Sequence, residues 1–254
     1  MTAISPPEST LPPIPVSATK PVFTNDEEAA NKCNQWVESG ITKNKSIQFL
    51  LKTLIDSGCN PPEHFIRCVK CEQPQAGGFG MVVEERIINT ATPPAVSSAI
   101  NTIANKEQCQ RTAQELRDQI SREQSGSSTL KIQPEIFVCQ QYMENEHMAH
   151  KTVHHELIHA IDMCRTKMDP LHNCVHLACT EIRAENLSGE CSFFKELPRM
   201  SSFRKHGQEC VRRRAILSVK ANPNCTARAE EYVDAALPRC FQDTYPYDRH
   251  PNQR

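Results

Sequence analysis

The chain has 254 residues, 38% of them hydrophobic, and its 29 basic and 30 acidic side chains leave a formal charge of −1. That length and apolar content suffice for one substantial core, while the balanced charge gives no general electrostatic pull toward nucleic acid. No apolar run approaches the roughly 20 residues of a membrane-spanning helix, the longest being short pieces such as Phe49-Leu50-Leu51 and Met81-Val82-Val83.

Residues 1 to about 24 are rich in Pro, Ser and Thr and are predicted to be a disordered tail. Met1 to Pro7 has no basic start and no apolar stretch, so it does not read as a signal peptide. The first arginine is Arg67, which excludes an Arg-rich transit helix at the start of the chain. Residues 25–254 read as a single catalytic domain. Asp26 to Val37 and Lys45 to Ile55 are predicted helices, the second with Ile47, Leu50, Leu51 and Leu54 on one stripe. Met81 to Ile88 and Ile132 to Gln140, rich in Val, Ile and Phe, are predicted strands. Between them, residues 93–130 form a polar insertion that Pro93-Pro94 opens and Gly126-Ser127-Ser128 closes. A fold tolerates such a surface insertion, since each doubling of loop length costs only about 0.6 kcal/mol.

The sequence His155-Glu156-Leu157-Ile158-His159 carries the most chemistry. At 3.6 residues per helical turn the two histidines stack on one face, so both imidazoles reach one tetrahedral Zn²⁺. Glu156 projects beside them as a general base toward water. Neither Gly nor Pro occurs from Met148 through Met168, and Met148, Val153, Leu157, Ile158, Ile161 and Met163 supply apolar positions, so a buried helix is predicted. Asp169-Pro170 ends it. His147, His150 and His154 fall at offsets away from the ligand face or too far along it, and most of them are expected at the surface.

A catalytic zinc needs a third protein ligand. A second predicted helix, Val175 to Leu187, carries Glu181 and Glu185 four residues apart on one face. The segment resembles the Asn-Glu-x-x-x-Asp stretch of thermolysin-like enzymes, which implies Glu181 as the ligand and Glu185 as a carboxylate supporting a ligand histidine. Asp162 competes for the third position, because it shares the stripe of His155 and His159. The preferred role for Asp162 is a hydrogen bond to an outer imidazole nitrogen. A metzincin pattern is disfavoured, since it needs a Gly where Asp162 stands and a His where Arg165 stands. For the oxyanion of the reaction, His176, Arg183 and Tyr142 are unranked candidates.

Thirteen cysteines are dispersed from Cys33 to Cys240, and only Cys68-Val69-Lys70-Cys71 has zinc-hook spacing. Dispersal without a second close pair points to disulfides and an oxidising compartment rather than a structural zinc ribbon. The odd count leaves one thiol over, and Cys109, inside the insertion, is the candidate. Near the C-terminus, Gln208 to Ala221 and Thr226 to Leu237 are predicted to form a helical hairpin around Asn222-Pro223-Asn224, with Cys210 opposite Cys240 as a disulfide staple. Arg212-Arg213-Arg214 is a basic run on that hairpin, a candidate patch for acidic lipid or nucleic acid.

Taken together, His155 through Arg165 and His176 through Cys191, with Cys68-x-x-Cys71, Gly77-Gly78-Phe79 and Val138-Cys139-Gln140, resemble the family of mitochondrial inner membrane metalloproteases that also act as ATP synthase assembly factors. The likeness runs from about Cys33 to Cys240, interrupted by the insertion. It implies an α+β, zincin-like fold, mostly helical, with a small sheet beside the HExxH helix and a disulfide-stapled C-terminal hairpin. It implies a Zn²⁺ endopeptidase that removes the N-terminal propeptide of ATP synthase subunit 6 and helps assemble the membrane sector. The expected partners are the subunit 6 precursor and assembly intermediates, with peripheral association at the intermembrane-space side of the inner membrane and no nucleic acid. A different class of function remains alongside it: an assembly chaperone whose zinc site is structural or vestigial. A nuclear DNA-repair accessory role would instead require reduced thiols and a basic face.

Overall fold

In the computed structural model, residues 21–23, 25–62, 64–72, 75–87, 128–170, 172–191 and 206–251 are described. Most of the predicted tail, most of the 93–130 insertion and Cys109 therefore lie outside the described residues. Within the predicted tail, the Val22 N–H donates to the Gln141 carbonyl at 2.8 Å.

Two helices open the fold, α1 (Asp26–Lys43) and α2 (Lys45–Asp56). Three strands follow, β1 (Ile66–Val69), β2 (Gly77–Ile87) and β3 (Ser128–Cys139). Among the described residues four further helices follow: α3 (Glu146–Arg165), α4 (Cys174–Leu187), α5 (His206–Ala221) and α6 (Ala229–Cys240). Each of the first four helices begins after an asparagine, Asn25, Asn44, Asn145 or Asn173, whose side chain accepts a backbone N–H of the first turn. Such caps satisfy donors that no helix can satisfy internally.

The sheet has the order β1-β3-β2, with β1 parallel and β2 antiparallel to the central β3. β1 was not anticipated. It is four residues long, and its Cys68 reads in sequence as half of a CxxC pair. β2 begins at Gly77, four residues ahead of the predicted start, because the glycines there meet their neighbours closely. A Cβ on Gly77 would sit 2.6 Å from both the Phe137 carbonyl oxygen and Thr152 Cγ2. A Cβ on Gly78 would sit 2.4 Å from the Phe137 ring. β3 starts at Ser128, so the last residues assigned to the insertion belong to the sheet.

Two apolar cores form. One joins α1, α2, the sheet and α3 through Val37, Ile47, Leu50, Ile136, Val138, Leu157, Ile158 and Ile161. The other joins α4, α5 and α6 through Ala178, Ile182, Val211, Val219, Val233 and Ala236. α4 serves both, since Ala184 and Leu187 belong to the first. A fully buried Leu or Ile is worth about 1.5–3 kcal/mol, so each core holds its half of α4 firmly. The α3–α4 seam lies between the two cores.

Six disulfides cross the structure: Cys33–Cys68, Cys59–Cys164, Cys71–Cys139, Cys174–Cys225, Cys179–Cys240 and Cys191–Cys210. The CxxC cysteines thus go to different partners. The predicted Cys210–Cys240 staple does not form. α5 and α6 do pack as a hairpin, but both also rest on α4. Their terminal cysteines therefore face α4 and the turn after it, where Cys179 and Cys191 stand. Among the described residues, no helix is long and apolar enough to cross a membrane.

Candidate metal centre

α3 runs two residues further back than Met148 and ends at Arg165, short of Asp169-Pro170, with Thr166 in an extended conformation. Within it His155 and His159 stack as the spacing requires, ring centroids 4.9 Å apart and close to perpendicular. α4 crosses beside them and delivers Glu181. One carboxylate oxygen lies 3.7 Å from His155 Nε2, and the other lies 3.7 Å from His159 Nε2. One ligand atom from each of the three falls within 4.8 Å of the others.

These contacts are too long for hydrogen bonds. Two ligands about 2.1 Å from a tetrahedral metal stand roughly 3.4 Å apart, so the spacing suits a cation between the three groups. Glu181 Oε2 gives independent support: it is buried and accepts no hydrogen bond among the described residues. A buried carboxylate oxygen without a donor is costly unless a positive charge meets it. The residues present therefore fit a metal ion.

The electrostatics of the metal-free site express the same crowding. Burial works against the charged form of His155, but the Glu181, Glu156 and Glu185 carboxylates outweigh it and raise its pKa to about 9. Burial also opposes ionisation of Glu181, yet His159, His155 and the nearby Ser218 hydroxyl hold it down at about 2. For His159 burial prevails and lowers the pKa, with Glu181 pulling the other way. Glu156, one residue from His155 and 7% exposed, is pushed up to about 7 by burial against the pull of His155.

The two predicted supporting carboxylates take different positions. Asp162 is fully buried, but it does not touch an imidazole directly. Thr180 stands between them: its Oγ1 is 2.8 Å from His159 Nδ1 and 3.0 Å from Asp162 Oδ2. Glu185 is buried on α4 and accepts the Arg214 guanidinium of α5 rather than a histidine. Asp162 and Glu185 are thus not among the three clustered ligand atoms.

Other expectations need correction. His150 and His154 are not free surface groups: His150 donates through Nε2 to the Trp36 carbonyl at 2.9 Å, and His154 Nε2 shares a hydrogen bond with the Tyr247 hydroxyl at 2.9 Å. Arg183 does not face the reaction centre; its side chain is 1% exposed and its guanidinium is spent on Asp162, Asp243 and Tyr245. His176 accepts the Asp169 N–H at the start of α4. The Arg212-Arg213-Arg214 run is largely neutralised, Arg212 by Asp234 and Arg214 by Glu185 and Glu190. Thr180, Ser218 and the segment 241–251 were missed. Only Thr180 left a signal in sequence, as the residue beside Glu181 on the same helix.

The Peptidase M76 family matches residues 31–92 and 88–248. The mitochondrial inner membrane protease atp23 of Aspergillus niger is 46% identical over 117 residues, 44% of this chain and 49% of that protein. The ATP23 homolog of Danio rerio, also named a mitochondrial inner membrane protease, is 44% identical over 122 residues, 47% of this chain and 48% of its own. The chain thus spans about half the length of these curated relatives. Against the mitochondrial inner membrane protease ATP23 of Coccidioides immitis, identity is 32% over 228 residues, 88% of this chain and 75% of the relative. No solved structure matches. With the family's match covering most of its length, including the HExxH helix and the helix that bears Glu181, the chain belongs to the peptidase M76 family.

Proposed function

We propose that the chain is a zincin-type zinc endopeptidase that works at the intermembrane-space side of the mitochondrial inner membrane. The observation that carries this reading is the convergence of His155, His159 and one carboxylate of Glu181 within 4.8 Å, with Glu156 next in sequence to the first ligand. Two imidazoles and a carboxylate are a donor set that zinc takes in catalytic sites, where a fourth position stays open. When bound there, zinc supplies Lewis-acid polarisation of the scissile carbonyl and acidifies a water.

The remaining steps belong to the chain. Glu156, with a pKa near neutrality in the metal-free site, accepts the proton of the attacking water and delivers it to the leaving amine. Among the described residues β2 is an edge strand, and its Gly77 abuts Thr152, one turn before Glu156. Its free edge suits an extended peptide held by main-chain hydrogen bonds. Six disulfides fit an oxidising compartment. The substrate is the precursor of ATP synthase subunit 6, whose N-terminal propeptide is removed, and membrane-sector assembly intermediates are the further partners. Contact with the membrane is peripheral, and nucleic acid is not a partner. These assignments of substrate and partner rest on the family likeness.

The test is Glu156→Gln in a strain lacking the protein. Loss of a general base costs about 10²–10⁴-fold in rate, so subunit 6 should remain unprocessed while zinc content stays at the wild-type level. Continued maturation would overturn the hydrolytic reading. Synthase assembly is scored separately, because an assembly role that does not use hydrolysis would survive this substitution.

A further inference from the structure

The ligand histidines differ on the side away from Glu181. Among the described residues only His159 is tied there, through Nδ1, to Thr180 Oγ1 at 2.8 Å. That hydroxyl also lies 3.0 Å from Asp162 Oδ2. A carboxylate can only accept and a hydroxyl has one proton to give, so Thr180 donates to Asp162 and accepts from the His159 Nδ1–H. This fixes the tautomer. His159 Nε2 is left with its lone pair directed to the side where Glu181 stands 3.7 Å away.

Asp162 is held in turn. Arg183 Nε reaches its two oxygens at 2.9 and 3.0 Å, and Arg165 Nε reaches Oδ1 at 3.2 Å. The Arg183 guanidinium continues outward: Nη1 donates to the Asp243 carbonyl and lies 2.7 Å from its Oδ1, and Nη2 donates to the Tyr245 carbonyl. Asp243 also pairs with Arg165, and the Arg165 guanidinium lies over the Tyr245 ring at 4.9 Å. The polar chain thus starts on the segment after α6, crosses the buried face of α4 and ends on the imidazole.

We infer that Thr180 is a positioning residue that sets the His159 tautomer for metal binding, and that Asp162, Arg183 and the Asp243–Tyr245 strap hold Thr180 in its donor-to-Asp162 orientation. This rests on the metal reading of the site. It places control of a ligand histidine in a hydroxyl rather than in a direct carboxylate contact. Partners behind a ligand histidine raise its basicity and order its ring, and their loss costs about 10–100-fold in metal affinity.

Two measurements on the full chain test it. Zinc affinity by competition with a chromophoric chelator should fall by about 10–100-fold in Thr180→Val and stay within about threefold of wild type in Thr180→Ser. In ¹⁵N-histidine spectra of the metal-free protein, His159 should be the Nδ1–H tautomer in wild type and Thr180→Ser, and a mixture in Thr180→Val. Val matches Thr in shape and Asp162 keeps its arginines, so the variant's thermal midpoint without metal reports whether the fold survives. An unchanged tautomer and unchanged affinity in Thr180→Val would overturn the inference alone. Wild-type protein that takes up no stoichiometric zinc would overturn the metal reading and this inference with it.

Discussion

His155 Nε2 and Glu181 Oε2 face each other across 3.7 Å on adjoining helices, close enough for strong attraction and too far for a hydrogen bond. Without metal, the neighbouring carboxylates favour the charged form of His155. Its pKa of about 9 reflects burial overcome by Glu181, Glu156 and Glu185. A metal ligand must be a neutral imidazole, so binding expels the proton. Metal affinity should therefore rise close to tenfold per pH unit from 7 toward about 9, with nearly one proton released per ion at pH 7. Calorimetric titration in buffers of different ionisation enthalpy measures this directly, and zero proton release would contradict it. The sign for the metal-free fold is opposite: stability from the charged pair is fully present below the ordinary histidine pKa of 6.5 and is lost as pH rises through about 9.

The Cys179–Cys240 disulfide joins the residue before Thr180 to the last residue of α6, from which the strap departs. Its cysteines are 61 residues apart in sequence, but the Cys174–Cys225 bridge already shortens the path between them to about 20 residues, for which the chain-entropy account gives about 3 kcal/mol. Replacing both cysteines by Ala should lower the denaturant midpoint by a corresponding amount, read by urea unfolding with the other disulfides intact. A change under about 1 kcal/mol would mean that packing of α6 on α4, not the crosslink, holds this end of the molecule.

The His155, His159 and Glu181 cluster was legible in part: helical spacing put the two histidines on one face, whereas Glu181 came from the likeness to thermolysin-like enzymes, since spacing alone left Asp162 and Glu185 open. The elements that use strong local signals were legible too, as α2 and the C-terminal helices show. What sequence did not reveal depends on crossings. Thr180 became the partner of His159 because α4 crosses α3 where Asp162 and Thr180 face each other, and no spacing within either helix encodes that. Arg183 looked like a charge near the reaction centre, yet it is among the most buried side chains of the described residues, held by Asp162 and by the strap. Disulfide pairing failed for the same reason. The oxidised state could be read from dispersal, whereas Cys210 and Cys240 were assigned from a two-helix hairpin when three helices share that layer.

Asp243 should make the acid limb of stability steeper. Burial raises its pKa, but the Arg165 hydrogen bond and the charges of Arg183 and Arg165 outweigh it and hold the carboxyl below its ordinary 3.8. A carboxyl depressed on folding contributes stability above its unfolded pKa and loses it as pH falls through the folded value. Asp243→Asn should therefore be less stable than wild type at neutral pH, and the difference should shrink below about pH 4. Thermal midpoints from pH 2 to 7 check this, and a gap that stays constant to pH 2 would assign the loss to packing instead.

Gly77 and Gly80 lie three residues apart on β2 and separate sterics from strand preference. A methyl at Gly77 would stand 2.6 Å from the Phe137 carbonyl oxygen and from Thr152 Cγ2, whereas one at Gly80 would meet nothing within 4 Å. Backbone and a β-branched side chain on a buried helix cannot give way cheaply, so the sheet or α3 must move. Overpacking of this kind costs about 1–3 kcal/mol. Gly77→Ala should lose that much stability, while Gly80→Ala should be neutral or slightly stabilising through a less flexible unfolded chain. Because Thr152 is one turn before Glu156, Gly77→Ala should also lower peptidase activity more than its stability loss at assay temperature explains. Equal stability for the two variants would show that β2 does not abut α3 as closely as these distances imply, and would remove the steric reason for a glycine at the head of the strand.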